Sequence, residues 1–141
     1  MELLTLTEAV TIIDATLAKA REMNLNPMCV AVVDAGGHLI ALKREDNTPL
    51  IRPDLAIAKA WTSAAFGVSS ADMEERAKQR PWFIGALADM PSGKIVPVAG
   101  ALPIRRGGAL IGAVGATGAV ATDDEICVKA GLEAVGLSPS S

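Results

Sequence analysis

Aromatic residues are scarce in this 141-residue chain: 3% of the total, with two Trp, two Phe and no Tyr. There is a single histidine, His38, and there are two cysteines, Cys29 and Cys127, far apart and outside any CxxC spacing. Acid–base chemistry is thereby confined to one imidazole, two thiols, the carboxylates and the amines. A four-ligand zinc site built from His and Cys alone is excluded. Positive charge is also short. The formal net charge is −3, so no basic surplus exists to displace phosphate counterions, and nucleic acid is not an expected partner. No apolar run approaches the roughly 20 residues of a membrane span. Met1–Thr5 carries neither a basic stretch nor a small-residue cleavage pattern, so the expectation is a cytoplasmic protein with two buried, reduced thiols.

What the chain does have is apolar content, at 50%, of which alanine is the largest part at roughly a sixth of all residues. That excludes disorder and suits one compact domain. We expect it to span residues 1–137, with 138–141 a short flexible tail.

Local signals mark the elements. Thr5-Leu6-Thr7-Glu8 fits a capping box and opens a helix that runs to about Asn24. Met28–Val33 and His38–Lys43 read as strands around Asp34-Ala35-Gly36-Gly37, a β-hairpin whose first strand is apolar enough to be buried on both faces. A helix follows from Pro53 to Phe66, stopped by Gly67, and a shorter one from about Ser70 to Lys78. Arg80–Gly93 reads as an irregular loop with at most one helical turn. A short strand is expected at Ile95–Val98, and longer ones at Ala101–Arg106 and Ala109–Thr117, joined at Gly107-Gly108. Thr122-Asp123-Asp124-Glu125 reads as a second capping box, and Gly136 ends the helix it opens. The order α-β-β-α-α-β-β-β-α predicts an α+β fold, an antiparallel sheet packed with helices.

Several segments in this order carry a resemblance. They are Val32-Val33-Asp34-Ala35-Gly36-Gly37-His38-Leu39, Lys59-Ala60, Ala99-Gly100-Ala101-Leu102-Pro103-Ile104, Ile111-Gly112-Ala113-Val114-Gly115-Ala116-Thr117-Gly118 and Asp123-Asp124-Glu125. Together they resemble the GlcG/HbpS family, the haem-degrading domain family, over essentially the whole chain. The resemblance implies a profilin-like (PAS-like) domain that assembles into homo-oligomers, with haem or iron binding in some relatives and haem degradation in some of those.

Candidate site residues follow from residue type and setting. A haem axial ligand of the common imidazole kind, or a histidine–metal bond, falls on His38; the plainer reading is a turn-flanking residue with local hydrogen bonds. Lys59 stands among apolar neighbours in Leu55–Trp61. It either snorkels to solvent or points into a polar pocket as a base or anion clamp. Arg105 and Arg106 lie on opposite faces of their strand, so only one of them faces a given carboxylate; Arg105 is the candidate clamp for a haem propionate. Arg44 and Arg52 admit the same argument. The amides around Thr117 and Gly118, ahead of a helix, offer an anion site, against a plainer reading of Gly112, Gly115 and Gly118 as close-packing positions. Asp72, Glu74 and Glu75 are peripheral candidates for iron, and Asp34 is expected to cap its turn. Trp82 and Phe83 are expected to form an oligomer contact.

Three functions compete. One is a haem-binding or haem-processing oligomer. Another is a cofactor-independent lyase- or isomerase-type enzyme acting on a small anionic or aromatic catabolic intermediate, with Lys59 as base and Thr117 or nearby amides stabilising negative charge. The third is a noncatalytic small-ligand sensor or assembly partner.

Overall fold

The computed structural model describes residues 2–90 and 94–140. Its elements are α1 (Leu6–Glu22), β1 (Cys29–Asp34), β2 (Leu39–Arg44), α2 (Arg52–Phe66), α3 (Ser70–Gln79), α4 (Pro81–Ala88), β3 (Ala101–Arg106), β4 (Ala109–Thr117) and α5 (Ala121–Ala134). The four strands form one antiparallel sheet in the order β2-β1-β4-β3. The α+β class read from the sequence is therefore correct.

Side-chain alternation along the strands decides where the helices go. Val30, Val32, Leu102, Ile104 and Val114 point to one face and pack with Ile12 and Ile13 of α1 and Val128 and Leu132 of α5. Cys29, Ala31, Val33 and Ala113 point to the other and meet Ala56, Ala60 and Ala64 of α2. β1 lies between two helical layers, and five of its six residues are buried. The alanine stripe of α2 lets its backbone approach the sheet closely. A Cβ at Gly115 would lie 2.5 Å from the Ala56 carbonyl oxygen, and one at Gly112 would collide with the Val33 carbonyl. Gly115 is thus a close-packing position of strand against helix, whereas Gly112 is crowded by the neighbouring strand β1.

The ends of elements follow local chemistry. In α1 the Thr5 hydroxyl accepts from the Glu8 amide at 3.1 Å, and the Glu8 carboxylate accepts from the Thr5 amide at 3.0 Å, completing the capping box. Gly67 ends α2 at φ +66°, a left-handed position that glycine occupies without strain. The free edge of β3 is sealed. Ser70 Oγ accepts from the Ala101 amide at 2.8 Å, Pro103 has no N–H, and the Arg105 amide donates to the Ser138 carbonyl at 2.8 Å.

Three expectations are corrected. Pro81–Ala88 is a helix rather than a loop, because Pro81 sits in its first turn, where its missing N–H costs no hydrogen bond. Pro91, Ser92 and Gly93, which were also assigned to that loop, lie outside the described residues. Ile95–Val98 is not a strand: the Val96 amide donates to Thr62 Oγ1 on α2 at 2.8 Å, and Pro97 has no donor. The order is therefore α-β-β-α-α-α-β-β-α. The second capping box does not form either. Val120 is the N-cap of α5, without a side-chain bond, and Asp124 reaches back instead, accepting from the Ala119 amide at 3.0 Å.

One surface pair ties α1 to β3. Arg106 Nη2 donates to both Glu8 oxygens, at 2.8 and 2.9 Å, and this holds the Glu8 carboxyl below its usual value of 4.5. A depressed carboxylate contributes stability above its unfolded value and loses it as pH falls through the folded one. We therefore expect R106Q to lower the urea midpoint at pH 7, and the gap from the parent to shrink as pH falls below 4.5.

Candidate functional site

The candidate residues gather at two opposite ends of the sheet. Asp34 pairs with Gly112 and Cys29 with Thr117, so the ends are five residues apart, about 16 Å at roughly 3.3 Å per residue.

At the hairpin end, Asp34 Oδ1 accepts from the amides of Gly36 at 2.9 Å and His38 at 3.0 Å, capping the turn as expected. The same oxygen lies 3.4 Å from His38 Nδ1. A carboxylate beside Nδ1 is the kind of outer partner that metal-binding imidazoles have, and Nε2 is the nitrogen left for a metal. The His38 side chain is 83% exposed. It stands at the rim of a cleft of about 330 Å³ whose other walls include Leu3, Leu4, Ile40 and Ile111. The lining is mostly aliphatic and, among the described residues, holds no lysine or arginine.

The opposite end is a buried polar junction. The Lys59 side chain is 3% exposed and that of Asp124 is 1% exposed; Nζ lies 3.4 Å from Asp124 Oδ2 and donates to the Ala116 carbonyl at 3.2 Å. Lys59 belongs to the α2 layer and Asp124 to the α5 layer, so the pair joins the two faces across the end of the sheet. Burial pulls the Lys59 amine below the ordinary lysine value, opposed by the Asp124 charge. Burial also pushes the Asp124 carboxyl up, opposed by the Ala119 N–H and by Lys59. Gly100, at φ +128°, covers the ammonium: a Cβ there would lie 2.9 Å from Nζ. Beside the pair, Thr117 is fully buried and its hydroxyl accepts from Arg52 Nη1 at 2.8 Å. A Cβ at Gly118 would lie 2.5 Å from the Pro27 carbonyl oxygen. Thr117 and Gly118 thus sit with Lys59 and not with His38.

Arg105 is committed elsewhere. Its Nη1 donates to the Gly108 carbonyl at 3.0 Å and its Nη2 to the Gly67 carbonyl at 2.9 Å. It also lies three strand spacings from β2, about 14 Å. Glu75 pairs with Lys78, and Glu74 accepts from the Ala99 amide. Among the described residues, no three or more His, Cys, Asp or Glu side chains gather as a metal-binding group. Both cysteines are buried and unpaired, and burial pushes each thiol up to about 11, outside nucleophilic range. A second cleft, of about 460 Å³, is lined by Ser69, Asp72, Leu102, Glu125 and Lys129 among others, and by neither His38 nor Lys59.

Asp124 was the functional-site residue that the sequence reading missed. A lysine facing an apolar layer requires a counter-charge, but Asp124 falls within Thr122-Asp123-Asp124-Glu125, and the capping-box reading absorbed it.

Comparison with known proteins decides the lineage. Residues 4–133 match the family model described as "Haem degrading protein HbpS-like". The chain belongs to the HbpS-like family. An uncharacterised 15.0 kDa Citrobacter freundii protein, from the dhaT-dhaS intergenic region, is 28% identical over 92% of this chain and 90% of its own length. The corrinoid adenosyltransferase PduO of C. freundii is 25% identical over 87% of this chain, which spans only 36% of PduO. Among solved structures, HbpS has a TM-score of 0.85 at 27% identity, covering 96% of this chain and 92% of its own. A PduOC:haem complex has a TM-score of 0.87 at 23% identity, covering 99% and 100%, a likeness of fold. HbpS-like membership thus confirms the resemblance carried by the hairpin and the β3–β4 segments. No described helix of this HbpS-like chain is long and apolar enough to cross a membrane.

Proposed function

We propose that this chain binds haem at the hairpin-end cleft, where His38 Nε2 would hold the iron. The observation that carries the reading is the place of His38, with Asp34 3.4 Å from its Nδ1, on the lining of an aliphatic cleft. The solved haem complex of a relative with the same fold supports it. The residues present fit the iron and one face of the macrocycle. Bound haem supplies iron-centred electron transfer and oxygen chemistry. Asp34 would stand beside the imidazole as its outer partner, and Leu3, Leu4, Ile40 and Ile111 would keep water from a haem held there. Arg105, engaged by two carbonyls, is not free to clamp a haem carboxylate. A cytoplasmic location and a homo-oligomeric state belong to the same proposal.

The test is a hemin titration followed through the Soret band. The protein should saturate at one haem per chain, and H38A should weaken binding by about tenfold or more. A titration no different from that of an inert carrier protein would remove the proposal.

A second reading, proton transfer by Lys59 on a small anion with Thr117 nearby, is favoured by the burial that lowers the amine's affinity for protons. An NMR titration of the Lys59 side-chain nitrogen decides it. An amine that deprotonates within reach of neutrality supports a base; an ammonium that persists to pH 10 ends that role.

A further inference from the structure

Arg52, the first residue of α2, brings a guanidinium to the Lys59 end of the sheet and leaves most of it unused. Its one hydrogen bond among the described residues runs from Nη1 to the Thr117 hydroxyl at 2.8 Å, a neutral oxygen. Nε is buried without any partner. The Nε–Nη2 edge of a guanidinium is a fork that takes both oxygens of a carboxylate, and here that edge is unmatched. A buried donor without an acceptor is costly, so the arrangement suits a group supplied from outside the chain. Arg52 is half-buried, whereas Thr117, Lys59 and Asp124 are buried. The guanidinium is therefore the part of this junction that a solute meets first.

A second arginine shares the face. Cys29 lies opposite Arg44 on one side and Thr117 on the other, and residues set opposite one another point the same way. Cys29 packs with Ala56, so all three face the α2 layer. The Arg44 charge bears on the Cys29 thiol, as that placement requires. Arg44 and Thr117 are two strand spacings apart, about 10 Å. Among the described residues neither Arg44 nor Arg52 has an ion-pair partner. Two carboxylates that act on Lys59 are already engaged: Asp124 by the amine itself, and Glu74 by the Ala99 amide.

We propose that this end of the α2 face binds a small dicarboxylate, one carboxylate on the free edge of Arg52 and the other drawn by Arg44. The Thr117 oxygen accepts from Arg52, which leaves its hydroxyl proton to donate to the first carboxylate. Two cations about one short carbon chain select a dianion over a monoanion. The site adjoins Lys59 and supplies the small anion on which the second reading rests. It stands on binding alone, whatever the Lys59 nitrogen titration shows.

Isothermal titration calorimetry of the full chain with succinate and with butyrate, a diacid and a monoacid of the same chain length, tests this. Succinate should bind, and butyrate should bind more weakly by about tenfold or more. R44Q, on the exposed end of β2, should leave succinate no tighter than butyrate. R52K keeps the charge and a donor for Thr117 but has no fork, so it should weaken succinate by about tenfold or more. No binding of succinate, equal affinity of the parent for both acids, or parental succinate affinity in either variant overturns the proposal.

Discussion

Replacing Lys59 by Met should destabilise the fold by about 3–5 kcal/mol at pH 7, the usual result of removing one partner from a buried ion pair. The Asp124 side chain is 1% exposed, and without the ammonium it keeps only the Ala119 amide. D124L should cost a similar amount, since Lys59 would keep only the Ala116 carbonyl. The double variant K59M/D124L should fare better than either single one. It leaves no uncompensated charge, and its residual cost is about 1 kcal/mol for the lost cap on Ala119. In K59M the carboxyl rises further above its ordinary 3.8. A raised carboxyl makes the folded state bind more protons than the unfolded one, so stability falls as pH increases from 3.8 through the folded value. The K59M deficit should therefore narrow on acidification. Urea midpoints of the four proteins at two pH values check all of this. A K59M cost under about 1 kcal/mol, or single-variant costs that simply add in the double, would show that the pair does not hold the layers together.

A second intolerant position is Gly115. Its missing Cβ leaves room for the backbone of α2, with the Ala56 oxygen at 2.5 Å and the Ala60 nitrogen at 2.8 Å from where that carbon would sit. Neither atom can turn aside as a side-chain tip does, so G115V must push α2 off the sheet or bend β4. The expected loss is about 3 kcal/mol or more, at the upper end of overpacking costs. Displacing α2 also moves Lys59, so the damage should spread to the buried junction. Thermal unfolding measures it, and a melting temperature within a few degrees of the parent's would contradict the close approach of α2.

Why some of this was legible in the sequence and some not follows from the kind of signal involved. The hairpin, β3 and β4 depend on apolar runs broken by Gly-Gly pairs, and the helix stops on Gly67 and Gly136, all local chemistry. α4 was obscured because two prolines and a Trp-Phe pair resemble a loop, although proline in a first turn is compatible with a helix. Ile95–Val98 has strand composition, but Thr62, more than thirty residues earlier, takes the Val96 amide. The candidate residues were picked by type, and type does not report pairing. Arg105 bonds to two carbonyls, and Lys59 finds Asp124 sixty-five residues away. His38 and Asp34, by contrast, are four residues apart and meet within one turn, a proximity that the sequence does show.

The most direct measurement for haem binding at the hairpin end is the Soret spectrum of hemin with the parent protein, with H38A, and with H38A plus free imidazole. His38-ligated haem predicts a sharpened, shifted band in the parent, its loss in H38A, and its return when imidazole fills the vacated ligand position. Identical spectra for the parent and H38A, without imidazole, would contradict it.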